Sequence, residues 1–258
     1  IGATPVTHLL SNGRYSVMLT TTGSGSSRWG DLAVTRWRED PSLDDWGSLI
    51  LLRDTGNGRV WPAGLQPVGT PPDAYDVAFG EDRAEFARRD GMLTTLMEVL
   101  VSPEEDAEVR RVSVTNTGTK PRIIELTSYA ELALIRPADD IAHPAFAKMF
   151  VQTERLADGA LLATRRRRTP GEPEIWVAHL IVTGPSADRD NIEAETDRAR
   201  FLGRGRAMRD AAAMDGGSLS GTTGTVLDAV AALRCRVTVA PGAMVRVAFW
   251  TMAASSRA

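Results

Sequence analysis

Hydrophobic and polar residues alternate with a period of two along most of this chain. In "RYSVMLTTTG", Tyr15, Val17 and Leu19 fall on one face, and a glycine follows. In "LRCRVTVAPGAMVRVAFWTM" the same alternation runs on both sides of Pro241-Gly242. Period-two alternation indicates half-buried β-strands, and a Pro-Gly pair between two such runs indicates a tight turn. The pattern predicts a β-hairpin at this turn.

Two more turn signals separate runs of the same kind. Asp90-Gly91 divides "AEFARRDGMLTTLMEVLV", and Asp-Gly is a strong hairpin signal. "AEVRRVSVTNTGTKPRIIELTSYAEL" repeats the arrangement around its turn at 118–121. Helical patterns are few: "PAFAKMFVQTE" fits a turn or two, and "TDRARFLGRGRAMRDAAAMD" fits a short helix before its glycines. The polar stretches 184–195 and 215–224 predict loops.

Many antiparallel strands with short turns, and no Pro/Ser/Gly linker, predict one all-β domain over residues 1–258. We expect a large antiparallel sandwich of two packed sheets with few short helices. A hydrophobic content of 43% is ample for its core. The chain starts at Ile1 without a methionine, so we expect it to be a piece of a longer polypeptide. It contains no apolar stretch of 18 residues and no signal-peptide pattern.

The charge pattern argues against a polyanion-binding protein. The net charge is −3, and of the 30 basic residues all but Lys120 and Lys148 are arginine. The run from Arg165 to Arg168 lacks interleaved aromatic residues, so it predicts a solvated strand face or a protected sheet edge rather than a nucleic-acid groove. Cys235 is the single cysteine, which excludes an internal disulfide, and its alternating position predicts a buried small apolar residue.

Aromatic and forked cationic side chains are concentrated near the amino end. Four of the six tryptophans lie between residues 29 and 61, three of them within "RWGDLAVTRWREDPSLDDWG". Sugar rings present apolar C–H faces that stack on indoles, and their hydroxyl groups need polar partners. The candidate residues are Arg28, Trp29, Asp31, Arg36, Trp37, Arg38, Glu39, Asp40, Trp46 and Trp61. The alternative is that these tryptophans belong to the core of the sandwich.

Glycines indicate close approach at two places. Gly23 and Gly25 precede the tryptophans and permit a backbone excursion where a ligand or another chain approaches. In "FLGRGR" two glycines allow a tight turn that displays Arg204 and Arg206, whose guanidinium groups fit a phosphate or a sugar oxygen. The alternative is a turn with two solvated arginines.

No metal or cofactor is predicted. His8, His143 and His179 are not spaced as metal ligands, and HExxH and CxxC motifs are absent. There is no GxSxG motif, and the carboxylates are too numerous for spacing to select a catalytic pair. The residues alone therefore indicate a carbohydrate-facing β-sandwich without an identifiable catalytic residue.

Four segments together resemble the cyclic β-1,2-glucan synthases. They are the block from "LLSNGRYSVMLTTTGSGSSRWGDLAVTRW" to "GNGRVW", then "HPAFAKMFVQTE", "TDRARFLGRGR" and "GTTGTVLDAV". The resemblance runs in order over nearly the whole chain. More narrowly, the chain resembles the β-sandwich part of the glycoside phosphorylase-like region, which is related to cellobiose and chitobiose phosphorylases. It departs from the family at Ala229, where a proline usually follows the aspartate.

The resemblance implies a supersandwich fold similar to galactose mutarotases and no catalysis by this chain alone. In such phosphorylases the sandwich precedes an (α/α)6 barrel that holds the general-acid aspartate and most phosphate ligands, and no such barrel is encoded here. The implied partners are a β-glucan oligosaccharide and that barrel, on the cytoplasmic side of the inner membrane where the membrane-bound synthase works. The residues implied to face the sugar are Arg28, Trp29, Asp31 and Arg36 in the first block, and Phe201, Gly203, Arg204 and Gly205 in the third segment.

Three hypotheses follow. The first is an accessory carbohydrate-binding or scaffolding domain of the synthase. The second is a self-sufficient mutarotase-like sugar epimerase, with His143 or His179 and Glu131 or Glu174 as acid and base. The third is a structural interface domain whose tryptophans pack against the barrel. An excised sandwich would then expose an apolar patch and could form a homo-oligomer.

Overall fold

The structure, a computed structural model, describes residues 6–38, 45–184 and 191–257. Within these ranges the chain is built mainly of β-strands. In chain order the strands are β1 (Thr7–Ser11), β2 (Tyr15–Thr20), β3 (Gly25–Trp29), β4 (Leu32–Thr35), β5 (Leu49–Asp54), β6 (Val60–Pro62), β7 (Ala74–Phe79), β8 (Ala84–Asp90), β9 (Leu93–Val101), β10 (Ala107–Asn116), β11 (Arg122–Ile135), β12 (Val151–Arg155), β13 (Leu161–Arg165), β14 (Trp176–Thr183), β15 (Glu193–Asp197), β16 (Gly224–Thr225), β17 (Ala229–Val239) and β18 (Met244–Ala254).

These strands form two antiparallel sheets. The first has the order β1-β2-β3-β4-β11-β17-β15, with β5 paired to the long strand β11 and β6 paired to β5. The second has the order β16-β12-β13-β14-β18-β10-β9-β8-β7. The predicted all-β supersandwich is confirmed.

The main core lies between the two sheets. Tyr15, Val17 and Leu19 are completely buried on one face of β2, as the alternation predicts. The same apolar cluster contains Cys235 of the first sheet and Phe249 of the second, which shows that the two sheets pack face to face. Burial raises the pKa of the Cys235 thiol to about 12, which suits a packing residue rather than a nucleophile.

The turn at Pro241-Gly242 does not close a hairpin, contrary to the sequence prediction. It leads from β17 in the first sheet to β18 in the second, and the turn at 118–121 leads back from β10 to β11 in the same way. Asn116 ties the two crossings together, because its side chain donates to Lys120 O at 2.8 Å and to Val239 O at 3.0 Å. The Asp90-Gly91 hairpin between β8 and β9 is confirmed.

Across the described ranges, helical structure is limited to short pieces, as predicted. They are α1 (Pro137–Ala142), α2 (Pro144–Lys148), α3 (Arg198–Leu202) and 3₁₀ turns at Met208–Asp210 and Ala212–Asp215. Proline at the first turn starts α1 and α2, and the Asp197 side chain caps α3 by accepting from Ala199 N.

The polar stretch 184–195 is only partly a loop. Its last three residues begin β15, so the loop prediction is wrong there, and residues 185–190 lie outside the described ranges. In the stretch 215–224, Asp215 ends a 3₁₀ turn and residue 224 begins the two-residue strand β16, and the residues between them are irregular, as predicted.

A second apolar cluster lies on the outer face of the first sheet. The segment 198–219 runs across this face and packs on residues of β5, β11 and β17 that point away from the sandwich interior. Val230 and Ala232 point outward into this cluster, while Ala231 and Leu233 point inward. This explains why β17 is buried on both faces along half its length.

Candidate sugar-facing cleft

One cleft gathers aromatic, apolar and charged side chains at one end of the sandwich. It has a volume of about 750 Å³ and lies where the β3–β4 turn, the end of β11 and the start of α1 meet the loop after β13. β11 is irregular here: its register with β4 shifts between Leu132 and Ile135, and Leu134 has a positive φ of 52°. A left-handed conformation is uncommon for leucine, and such residues often cluster at ligand sites. The lining residues used below are Arg14, Trp29, Asp31, Asp106, Arg136, Asp139, Arg165, Arg168 and Glu172.

Trp29 is held rigidly in the cleft wall. Its indole Nε1 donates to Asp106 Oδ2 at 2.7 Å, and Arg14 Nε donates to the other oxygen of the same carboxylate at 2.8 Å. The ring is half-buried. Because the N–H is already bonded, a ligand in the cleft meets the apolar ring rather than the polar edge.

Asp31 lies two residues beyond Trp29 on the same wall and is exposed. The intervening Gly30 has a positive φ of 53° and donates its N–H to Arg14 O at 2.8 Å, which turns the chain from β3 into β4. The structure therefore brings Trp29 and Asp31 together. Arg28, also exposed, lies on β3 outside the cleft lining.

Arg36 is buried, so it cannot contact a sugar directly in this structure, which corrects the prediction for it. Only 1% of its surface is exposed. It holds Asp140 with two bonds of 2.9 and 3.1 Å and also lies 3.3 Å from Glu131 and 3.4 Å from Asp228. Burial disfavours its charge, but the bonds to Asp140 and the charges of Glu131 and Asp228 outweigh this and raise the pKa of Arg36.

Arg36 is the centre of an ion network that joins the four segments of the family resemblance. Arg198 Nε lies 2.5 Å from Glu131 Oε1, and Lys148 Nζ lies 2.5 Å from Asp228 Oδ2. Arg36 comes from the first segment, and Lys148, Arg198 and Asp228 come from the second, third and fourth. These segments are distant in sequence and meet at one place, where they brace α1, α2 and α3 against β11.

The tryptophans near the amino end do not form one platform. Trp61 is 1% exposed and lies in the core, where its Nε1 donates to Thr95 Oγ1 at 3.3 Å. Trp37 and Trp46 are half-buried outside the cleft lining, and the Arg38 guanidinium stacks 5.3 Å from the Trp46 ring centre. Of the four, Trp29 lines the cleft. Two of the candidate carboxylates, those at 39 and 40, lie outside the described residues.

Gly25 serves close packing of the chain on itself. A Cβ atom at Gly25 would collide with the carbonyl of Met18, and Gly25 forms an isolated parallel bridge with Gly47. A Cβ at Gly47 would in turn collide with Gly25 O and press on the Trp37 ring. The close approach at Gly25 is confirmed, and the approaching backbone belongs to the same chain.

Phe201 is completely buried, so the prediction that it contacts sugar is also corrected. Its ring packs 4.6 Å from the Tyr129 ring in the second apolar cluster. Gly203 ends α3 with a φ of +85°, and a Cβ there would lie 2.9 Å from Ala212 Cβ.

The rest of "FLGRGR" forms a turn away from the cleft. Arg206 is held by Asp215 through bonds of 2.5 and 2.7 Å, whereas Arg204 and Gly205 are exposed at the tip. None of these three residues lines the cleft beside Trp29.

The histidines and glutamates of the epimerase hypothesis do not form a facing acid–base pair. His179 is enclosed between the sheets, and burial lowers its pKa to about 4. Glu131 is bound by Arg36 and Arg198, and Glu174 accepts from Trp176 Nε1 at 2.7 Å. His143 is exposed between α1 and α2. Among the described residues, no group of three or more His, Cys, Asp or Glu could hold a metal ion.

The arginine run 165–168 is not uniformly solvated. Arg165 ends β13 and is only 8% exposed, so the prediction is wrong for this residue. The next three arginines are exposed. In the parts of the chain described here, no helix has the length and apolar character needed to cross a bilayer.

The two face-to-face antiparallel sheets define the class of protein: an antiparallel supersandwich domain. The sequence model of the glycosyl hydrolase 94 supersandwich domain matches residues 2–258, and the chain belongs to this family.

Sequence relatives confirm the resemblance to cyclic glucan synthases and chitobiose phosphorylases. Cyclic beta-(1,2)-glucan synthase NdvB of Rhizobium meliloti (strain 1021) is 49% identical over 253 residues, which are 97% of this chain and 9% of that protein. An N,N'-diacetylchitobiose phosphorylase of Vibrio furnissii is 27% identical over 217 residues, which are 83% of this chain and 26% of that protein. The chain thus spans a small part of the relatives that it matches.

Solved structures share the fold at low sequence identity. A putative aldose 1-epimerase from Escherichia coli K12 has a TM-score of 0.53 at 10% identity, covering 98% of this chain and 100% of that one. A bacterial glucoamylase complexed with acarbose has a TM-score of 0.55 at 6% identity, covering 100% of this chain and 34% of that one. At such identities the likeness concerns the fold alone.

Proposed function

We propose that this chain is an accessory carbohydrate-binding and scaffolding domain of a cyclic β-1,2-glucan synthase. It contributes the cleft beside Trp29 to a phosphorylase-like sugar site for β-1,2-glucan, and bond-breaking chemistry belongs to another part of the same polypeptide. The observation that carries the proposal is the meeting of Trp29 and Asp31 on one wall of a cleft of about 750 Å³. This volume is in the range of sites for small ligands.

The chemistry of this wall suits a sugar. The Trp29 ring is fixed by Asp106, so stacking a sugar face on it costs little side-chain entropy. The exposed Asp31 carboxylate can accept hydrogen bonds from two adjacent hydroxyl groups. Leu134 and Ile135 add apolar surface beside the ring.

The Rhizobium meliloti relative is a cyclic beta-(1,2)-glucan synthase, which supports β-1,2-glucan as the carbohydrate. Because the matched region is 9% of that protein, most of the synthase lies in other domains. The proposal therefore includes an (α/α)6 barrel of the same polypeptide as the catalytic partner, and a location on the cytoplasmic side of the inner membrane, as the family resemblance implies.

The test is calorimetric titration of the chain with β-1,2-linked gluco-oligosaccharides. We expect weak binding, and Trp29→Ala should weaken it about three- to tenfold, the value of one aromatic stacking contact. Trp176→Ala is the matched control: Trp176 is also half-buried and bonded to a carboxylate, but lies outside the cleft. Absence of heat with the wild-type chain, with and without phosphate, or equal loss in both variants would contradict the proposal.

A purely structural interface domain is the second candidate, and an apolar patch favours it. Ile141, Phe146, Met149 and Leu227 are between 51% and 84% exposed. The first three lie on or beside α1 and α2, and Leu227 precedes Asp228, which is bound to Lys148 of α2. Exposed apolar groups gathered in this way often mark a surface that another domain covers.

A further inference from the structure

The outer face of the second sheet carries an apolar surface. On β14 and β18 the inward residues Val177 and Phe249 belong to the main core, and the alternate positions on the outer face are mostly apolar as well. The strand register joins these outward residues with residues of β9, β10 and β13 into one surface, the outer-sheet block. Its members are Leu100, Val109, Leu162, Ala178, Leu180, Val182, Ala248, Trp250 and Met252. A sheet face that meets water normally carries polar residues, so this block is an exception.

The first sheet shows what such a surface does in this fold. The outward residues Val230 and Ala232 of β17 are also apolar, and the segment 198–219 covers them. Most of the outer-sheet block has no such cover among the described residues: Val182 is 52% exposed, and every other member except Leu162 is partly exposed. Apolar residues on both faces of a strand are typical of a sheet that is covered on both sides. We therefore expect a partner on this face.

We propose that the outer-sheet block is a homodimer interface, in which the second sheets of two copies of this chain pack face to face. None of its residues lines the cleft beside Trp29 or belongs to the apolar patch near α1 and α2. Two sheets in such a contact lie about 10 Å apart, as the two sheets within one sandwich do. The partner is a second copy rather than an unlike domain because the shape and the charge of the block both suit self-pairing.

The shape of the block is self-complementary. Trp250 has its largest side chain, and Ala248 has a small one two residues away on the same face of β18. This separation is about 7 Å along the strand. A two-fold axis between the two positions places each Trp250 ring over Ala248 of the second copy. Such reciprocal contacts define a two-fold interface.

The charges at the border of the block permit two copies to approach. The block itself contains no ionisable residue. Arg111 and Glu98, which lie beside it on β10 and β9, neutralise each other with an N–O distance of 2.6 Å. Arg246, at the same border, is exposed. The net charge of −3 on each chain gives a weak long-range repulsion, so dimerisation should strengthen when salt screens it.

The size of the face sets the expected affinity. Five strands at a spacing of about 4.8 Å, each with about eight residues at about 3.4 Å, give about 650 Å² per copy. A dimer then buries about 1,300 Å² in total, which is at the lower end of the range for stable interfaces. We therefore expect a dimer that forms at micromolar concentration and dissociates on dilution.

The experiment is chemical cross-linking from one introduced cysteine. Cys235, the single native cysteine, is buried and therefore protected from a short bismaleimide reagent. Ala248→Cys lies beside the proposed two-fold axis and should give a cross-linked dimer at micromolar concentration. Thr238→Cys is the control, because Thr238 is exposed on β17 of the first sheet, and it should give at least tenfold less dimer.

Three results of this experiment would overturn the proposal. Absence of cross-linking from position 248 would leave the block to an unlike domain, and equal cross-linking from both positions would indicate random encounters. The dimer linked through position 248 should persist when Ile141 and Phe146 are replaced with serine. Its loss in that background would trace the association to the apolar patch instead.

A charge placed on the block should separate the two copies. Ala248→Glu brings two carboxylates together near the axis, so the dimer dissociation constant from sedimentation equilibrium should rise at least tenfold. Thr238→Glu adds the same charge to the first sheet and should stay within twofold of its parent. Both variants are measured with Ile141 and Phe146 replaced with serine, and urea unfolding checks that each retains its fold. An equal rise in both variants would overturn the proposal, because it would reflect net charge alone.

Discussion

His179 lies between the two sheets with both ring nitrogens engaged. Nε2 is 2.8 Å from Ser128 Oγ of the first sheet, and Nδ1 is 3.0 Å from Thr251 Oγ1 of the second. The Ser128 hydroxyl is also within bonding distance of both the N–H and the carbonyl of Leu233. Neutral imidazole satisfies this arrangement with one donor and one acceptor, whereas imidazolium would place a charge in a buried position.

The His179 environment predicts loss of stability in mild acid. The pKa of His179 is about 4 in the folded chain and 6.5 in the unfolded chain. Between these two pH values, His179 is therefore protonated in the unfolded chain and neutral in the folded chain. This contribution to stability is therefore complete about one pH unit above 6.5 and is lost as the pH drops towards 4, by about 1.5 kcal/mol between pH 6.5 and 5. Urea unfolding at a series of pH values measures this change.

His179→Gln should abolish most of that pH dependence, because glutamine does not titrate. His143→Gln, at an exposed position, should keep the wild-type dependence. The same decline in wild type and in the His179 variant would refute the assignment.

Residue type alone predicted only part of the candidate site. Trp29 and Asp31 lie together on the cleft, where the first block suggested a sugar-proximal loop. Arg36, from the first block, is buried and bonded to Asp140. Phe201, from the third segment, is buried and packs on Tyr129. A short motif fixes neither what covers a side chain nor what it pairs with, because those groups come from distant parts of the chain.

At the scale of elements, the Arg36 network holds the short helices in place. The helices α1, α2 and α3 have at most six residues each. Helices of this length are not stable in isolation. Asp140 lies on α1, Lys148 on α2 and Arg198 on α3, and all three connect to Arg36 directly or through one carboxylate. The network therefore sets the position of α1, which contributes to the cleft.

Arg36→Gln should destabilise the fold strongly. Removing the guanidinium leaves the buried carboxylate of Asp140 without its cation and leaves Glu131 with Arg198 alone, and breaking one side of such a network costs about 3–5 kcal/mol. Arg257→Gln is the control: its pair with Glu154, at 2.9 Å, is exposed on both sides and should contribute under about 1 kcal/mol. Denaturant unfolding of both variants is the measurement, and equal effects would contradict a central role for the network.

The alternation of hydrophobic and polar residues predicted where the strands lie in the sequence better than which strands pair with each other. The alternating positions of β17 and β18 are buried as expected, yet the two strands lie in different sheets. Alternation reports which face of a strand is buried, and both faces of a sandwich interior produce the same pattern. A Pro-Gly turn that crosses between sheets therefore resembles a hairpin in sequence.

At the scale of the whole molecule, the apolar patch on α1 and α2 adjoins the cleft. α1 contributes Asp139 to the cleft and Ile141 to the patch. A partner that covers the patch would also approach the cleft. This juxtaposition links the two candidate functions, since a domain docked on the patch stands beside any sugar bound near Trp29.

The isolated chain should self-associate through this patch. Ile141 and Phe146 are 76% and 51% exposed, and replacing both with serine should shift the concentration-dependent sedimentation coefficient towards the monomer value. Leu9 and Met92 are the matched control, since they are 63% and 59% exposed away from these helices, and serine there should leave association unchanged. A wild-type chain that stays monomeric at high concentration, or equal effects of both pairs, would contradict the prediction.

The sequence by itself determined the β-strands, their buried faces, the short helices and the family, because alternation, turn residues and ordered motifs are local properties of the chain. Only the tertiary structure decided which sheet each strand joins, that Arg36 and Phe201 are enclosed, and that Arg165 is buried while the three arginines after it are exposed. Those outcomes depend on contacts between segments far apart in sequence, and the burial or exposure of one charged or aromatic side chain is set by the segments that fold over it.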